Sequence, residues 1–240
     1  MRTAALFCIS IFALALAACG DPDAPEKAMD DVSSHMQEHF DKITEVREAL
    51  VIGDLKAVRA PATWLAEHPP FAGLPPDWER YLDSVRVSAL EVLEAEGLLD
   101  ASYATATMAV ACGECHLQNG IADQFGAPVD APQDDTVQAH MQRHQWALER
   151  MWEGLIGPSA MAWDEGVGML ADIPLRPHES VDGTREGEAY EQLARTVHAR
   201  AAMGFVADSI EKKAQVFGDV LAACGSCHQK AGRNAEQSGP

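Results

Sequence analysis

From Val32 the apolar or ring-bearing positions run Val32, Met36, His39, Ile43, Val46 and Leu50. This four-three spacing places all six on one face of an α-helix. Gly53 follows as its stop. A second helix is predicted from Asp54 through Leu55, Val58, Ala62 and Leu65, kinked at Pro61. HPPFAGLPPD then reads as a loop, with Pro76 suited to the first turn of a third helix spanning about residues 77–97 and carrying Trp78, Leu82, Val85, Leu90 and Leu93. Asp100 is placed to cap a fourth, alanine-rich helix.

The pattern then starts again. Leu117 to Asp135 is rich in Gly, Pro, Asp and Gln and reads as a linker. Beyond it, HMQRH at His140 to His144 repeats HMQEH at His35 to His39. The face Val137, Met141, His144, Leu148, Met151 and Leu155 keeps the same spacing, and Leu155-Ile156-Gly157 matches Val51-Ile52-Gly53. A second helix contains Met169-Leu170-Ala171, a loop covers 174–183, and a long helix runs from about Thr184 to Ala207. Asp208 and Glu211 have capping-box spacing for a last helix. No segment has strand period. The expectation is all-α: two tandem four-helix bundles, residues 31–117 and 136–232, joined by linker 118–135 and followed by a tail, 233–240.

Each unit closes on the same motif, CGECH at Cys112 to His116 and CGSCH at Cys224 to His228. C-x-x-C-H is a c-type haem attachment signature: two thiols three positions apart can add to the two vinyl groups of a porphyrin, while the adjoining histidine turns to the iron. A zinc ribbon would place its C-x-x-C pairs about 15 to 20 residues apart, and a thioredoxin-like motif would need a strand-helix-strand context. Neither context is present. Two covalent haem c groups are therefore expected, on Cys112, Cys115, Cys224 and Cys227, with His116 and His228 as proximal iron ligands.

The units resemble class II c-type cytochromes, the cytochrome c′ and c-556 group, through these motifs and through M-x-x-H at Met36 to His39 and Met141 to His144. The resemblance implies that C-x-x-C-H lies near the end of the last helix of a four-helix bundle, and that the first helix supplies the residue on the other side of the haem. Distal candidates are Met36 or His39 in the first unit and Met141 or His144 in the second. A methionine opposite histidine raises the reduction potential, and a second histidine gives a lower one. His35 and His140 sit at the edge of the stripe. His68, His178 and His198 occupy no matched positions and read as solvated or satisfied side chains, and the five tryptophans read mainly as packing.

The first 18 residues have a basic start at Arg2 and an apolar run from Ala4 to Ala18, which reads as a signal peptide. Leu16-Ala17-Ala18-Cys19 resembles a lipobox, predicting a lipidated Cys19 on a polar tether, 19–30, and a periplasmic protein anchored to the inner or outer membrane. The other cysteines are Cys8, in the discarded segment, and the four of the haem motifs. None is left for a disulfide. The formal net charge of −19 argues against nucleic acid and favours redox partners with a basic docking face.

The function expected is a membrane-anchored dihaem electron carrier rather than an enzyme, free or as a subunit of a respiratory complex. Two alternatives use the same cofactor. A gas-binding haem protein would have an open or displaceable distal site for NO or CO, and a dihaem peroxidase would need one open and one electron-transferring haem.

Overall fold

The computed structural model describes residues 24–69, 74–121, 130–134, 136–172 and 185–237. Among these the chain forms eight α-helices and no strand: α1 Ala24–Val51, α2 Arg59–Glu67, α3 Glu79–Glu94, α4 Leu98–Gln118, α5 Val137–Ile156, α6 Ala160–Asp172, α7 Arg185–Ala202 and α8 Ile210–Gln237. Short 3-10 turns at Pro76–Trp78 and Met203–Val206 precede α3 and follow α7. None of the described helices is long and apolar enough to cross a membrane.

In the first half α1 packs on α2 and α4, and α3 on the same two helices, so the four form a closed ring of neighbours. Helices α5 to α8 repeat this arrangement. The halves are joined by α4 lying along α8, with α5 reaching α4 and α1 reaching α8. The apolar faces meet in one contiguous core that runs through both halves, including Ile43, Val46, Leu50, Met108, Met151, Leu155, Phe217 and Leu221. Burying each such large side chain stabilises the fold by about 1.5–3 kcal/mol.

Alanine explains the position of α4. Ala101, Ala104, Ala106, Ala109 and Ala111 are all buried, so small side chains on several faces let α1, α3, α5 and α8 approach it together. Thr105 is fully buried as well, and its hydroxyl donates to the Ala101 carbonyl at 2.8 Å, removing the cost of an orphaned donor. Tyr103 donates its hydroxyl to Asp219 across the α4–α8 seam at 2.7 Å.

The helical pattern holds and several boundaries move. Helix α1 begins at Ala24, so the expected tether is helical over residues 24–30. The second helix starts at Arg59 rather than Asp54. Asp54 instead accepts from the backbone N–H groups of Lys56 and Ala57, both at 2.9 Å, and so stabilises a turn. Pro61 causes no kink: it falls in the first turn of α2, where its missing N–H would have had no partner. The third helix stops at Glu94, and α4 is entered from Gly97 with no side-chain cap, leaving Asp100 within the first turn.

In the second half, α7 gives way to the 3-10 turn at Met203. The last helix uses Ser209, not Asp208, as its cap: the Ser209 hydroxyl accepts from Lys212 N–H at 3.3 Å, while Asp208 pairs with the Lys212 ammonium. Helix α8 continues past the second C-x-x-C-H motif to Gln237, so part of the expected tail is helical. The signal segment 1–18, Cys19, linker residues 122–129, the loop 174–183 with His178, and the side chain of Val137 lie outside the described residues.

Candidate functional site

In an α-helix, positions i, i+3 and i+4 share a face, so both cysteines and the histidine of each C-x-x-C-H motif project to one side. On α8 that side opens on a cavity of about 460 Å³. Cys224, Cys227 and His228 form one wall. Met141 and His144 of α5, Val197 of α7, and Arg47 and Val51 of α1 line the rest. The volume lies within the roughly 300–1,000 Å³ typical of ligand and cofactor sites. Both expected distal candidates of the second unit are therefore brought to the proximal motif, and α1 of the first half closes the cavity.

On α4, His116 is positioned by the other half of the molecule. Its Nδ1 lies 2.8 Å from the Ile156 carbonyl at the end of α5. A carbonyl only accepts, so Nδ1 carries the proton and Nε2 keeps its lone pair. Burial lowers the pKa of His116, and the Ile156 hydrogen bond opposes that shift. Asn119, just beyond α4, donates to the Cys115 carbonyl at 2.8 Å and accepts from the Trp78 indole N–H at 2.8 Å. The 3-10 turn before α3 is thereby tied to the motif. Burial, reinforced by the second cysteine of each pair, pushes the Cys112 and Cys224 thiols up to about 12.

The glycines inside the motifs have a packing reason. A Cβ at Gly113 would overlap the Leu155 carbonyl oxygen, and one at Gly225 would overlap the Leu50 carbonyl oxygen. Each motif is thus seated on the C-terminal turn of the first helix of the opposite half. Gln229 reinforces the second contact by donating to the Gly53 carbonyl at 2.6 Å.

The histidines of α1 and α5 gather further histidines that sequence reasoning set aside. His68, at the end of α2, joins His35 and His39, and His198 of α7 joins His140 and His144. In each trio the ligand-capable nitrogens lie within 4.8 Å of one another. His68 and His198 are half-buried members of these clusters, and His198 is satisfied at Nδ1 by the Leu170 carbonyl. They escaped notice because they stand on different helices of the repeat, second in one half and third in the other. His35 and His140 also lie deeper than the stripe's edge: both are buried, His140 completely.

Each trio is held in place. The Trp64 indole stacks on His68 with 3.8 Å between ring centroids, and His198 Nδ1 donates to the Leu170 carbonyl at 2.7 Å. Nε2 of His39, His144 and His198 is buried with no hydrogen-bond partner. Burial, followed by neighbouring histidines, pushes the pKa values of His39 and His144 down to about 3, so both rings are neutral at pH 7. Packing accounts for Trp152 and Trp163, which are among the largest fully buried side chains.

No protein-family model matches the chain. No curated protein and no solved structure matches it either.

Proposed function

We propose that the chain is a dihaem c-type cytochrome, built as two tandem four-helix bundles with one haem c each, that carries single electrons. The observation that carries this reading is the cavity where Cys224, Cys227 and His228 stand across from Met141 and His144. Two thiols and a histidine on one wall and a thioether or second imidazole on the other are the donor set that a six-coordinate haem c requires. Arg47 adds a buried cation to the wall, suited to offsetting carboxylate charge.

Haem c, when bound, supplies a ferric/ferrous couple at a potential set by its axial ligands and surroundings. The chain's residues do the rest. Cys112 and Cys115, and Cys224 and Cys227, hold the group by thioether bonds. His116 and His228 supply the proximal nitrogens, with the His116 tautomer set by the Ile156 carbonyl. Met36 and Met141 are assigned the distal position. Met141 and His144 both line the cavity, and His144 is engaged in a histidine cluster as well, which leaves Met141 for the distal side. The signal segment and Cys19 make the protein an exported, lipid-anchored one, and its net charge of −19 suits partners with a basic docking face.

The test is expression of the full chain in a host with c-type cytochrome maturation, followed by denaturation and a pyridine haemochrome spectrum. About two covalent haems per chain are expected, falling to one in Cys224→Ala/Cys227→Ala and to one in Cys112→Ala/Cys115→Ala. Electron transfer further requires reversible reduction by redox mediators. Absence of covalent haem, in a host that matures a control cytochrome, rejects the proposal.

A further inference from the structure

Six histidines lie in two groups outside the C-x-x-C-H motifs, and with Met36 and Met141 on the irons the electron-carrier reading gives the groups no task. Each takes two members from one face of a first helix, four residues apart, and a third from a neighbouring helix: His35, His39 and His68, and His140, His144 and His198. We propose that each three-histidine cluster is a site for a first-row transition-metal dication of the zinc or copper class, separate from the haem irons.

Donor chemistry defines the class. Imidazole suits zinc, copper and nickel, and three histidines with a fourth position left for water is a recurring zinc arrangement. At Zn–N distances of about 2.0–2.1 Å, tetrahedral ligand nitrogens stand roughly 3.4 Å apart. The trios are within 4.8 Å, so a modest inward rotation of the rings completes the site.

The orphaned nitrogens are the independent observation. His39 is more than nine-tenths buried, and its Nε2 meets no hydrogen-bond partner; His144 and His198 are half-buried residues whose Nε2 atoms are likewise buried and without a hydrogen-bond partner. A metal ion satisfies such lone pairs in a place where water is scarce. His198 also shows the support usual for a metal-bound imidazole, its other ring nitrogen donating to a backbone carbonyl. The stack of Trp64 on His68 fixes the third ring of the first trio in a comparable way. Because the third histidine comes from α2 in one half and α7 in the other, the two trios are not copies of a single helical pattern, yet they reach the same donor set.

The inference rests on the haem reading at one point only: Met36 and Met141, rather than His39 and His144, face the irons. The experiment uses the full mature chain, treated with chelator and dialysed against micromolar Zn²⁺, with zinc and iron counted per chain by elemental analysis. About two zinc ions are expected in addition to iron, each bound by three nitrogens at roughly 2.0–2.1 Å in X-ray absorption. His68→Ala and His198→Ala should each remove one zinc and leave the haem spectrum and the far-ultraviolet helical signal unchanged. His68→Gln and His198→Gln, closer in size, provide the same test if an alanine variant fails to fold.

A chain that retains no stoichiometric zinc, or variants that still hold two, overturn the metal sites. So does a His68 or His198 variant that alters the haem ligation bands while zinc stays absent. Zinc bound by a chain that carries no haem would support the metal sites and reject the cytochrome reading, so the two failures are distinguishable.

Discussion

Gly113 of α4 lies against the Leu155 carbonyl of α5 so closely that it has no room for a Cβ, and Gly225 of α8 repeats the relationship with the Leu50 carbonyl of α1. The C-x-x-C-H motif of each half is therefore braced by the other half. Each contact also has a polar component, the His116 to Ile156 hydrogen bond at the first and the Gln229 to Gly53 hydrogen bond at the second.

Gly113→Ala and Gly225→Ala should each destabilise the fold by about 1–3 kcal/mol, because the atom met is backbone and cannot rotate aside. Gly168, within α6, has open space around its absent Cβ. Gly168→Ala should stabilise by about 0.5–1 kcal/mol through helix propensity. Urea denaturation of the three variants, followed by helical circular dichroism, checks the opposite signs.

The Tyr103 to Asp219 bond crosses from α4 to α8. Tyr103→Phe should cost about 1–2 kcal/mol, near the lower part of the range for hydrogen bonds to charged groups because the site is only partly buried. A double-mutant cycle with Asp219→Asn should return a coupling energy of about 0.5 kcal/mol or more. Strict additivity would show that the seam is held by apolar packing alone.

Stability should fall on the acid side in a defined window. His39 and His144 have folded pKa values pushed down to about 3, against 6.5 for an exposed histidine. Above pH 6.5 neither state binds the proton, and the full stability is present. Between about 6.5 and 3 the unfolded chain binds protons that the folded chain refuses, so stability drops with falling pH, by up to about 1.4 kcal/mol per pH unit for each histidine. Urea titrations at pH 7, 6 and 5 measure this slope. His144→Gln should flatten it by about one proton, and an unchanged slope would contradict the buried neutral state.

Most of the fold was legible in the sequence because four-three spacing reports burial directly: Ile43, Val46, Leu50, Met151 and Leu155 are core residues, as their pattern implies. The boundaries were less legible, since they depend on local competition. Asp54 and Ser209 each chose a backbone partner that several nearby polar residues could have taken. The cysteines and histidines of the motifs were visible as chemistry, but the seating of each motif on the opposite half was not, because Gly113 and Leu155 are far apart in the chain and neither carries a charge or a pattern. His68 and His198 were hidden for a different reason: a duplication directs attention to matched positions, and these two meet equivalent neighbours from unmatched ones.

The distal ligand can be separated by substitution on one helix face. Met141 and His144 are three residues apart on α5, and both line the cavity with His228. His144 has close ring neighbours, 4.6 Å from His140 and 5.1 Å from His198 between centroids. Met141 belongs to no such cluster, and of the two cavity-lining side chains it is the one not shared with a histidine trio. Met141→Ala should therefore abolish the red-region charge-transfer band of a methionine-ligated ferric haem in the second site, lower that site's potential, and admit CO to the ferrous form. His144→Ala should leave the band in place. Met36→Ala and His39→Ala should divide in the same way at the first site. If the histidine variants lose low-spin character and the methionine variants keep it, ligation is bis-histidine, the potentials are lower, and the two histidine clusters each give up one member to the iron.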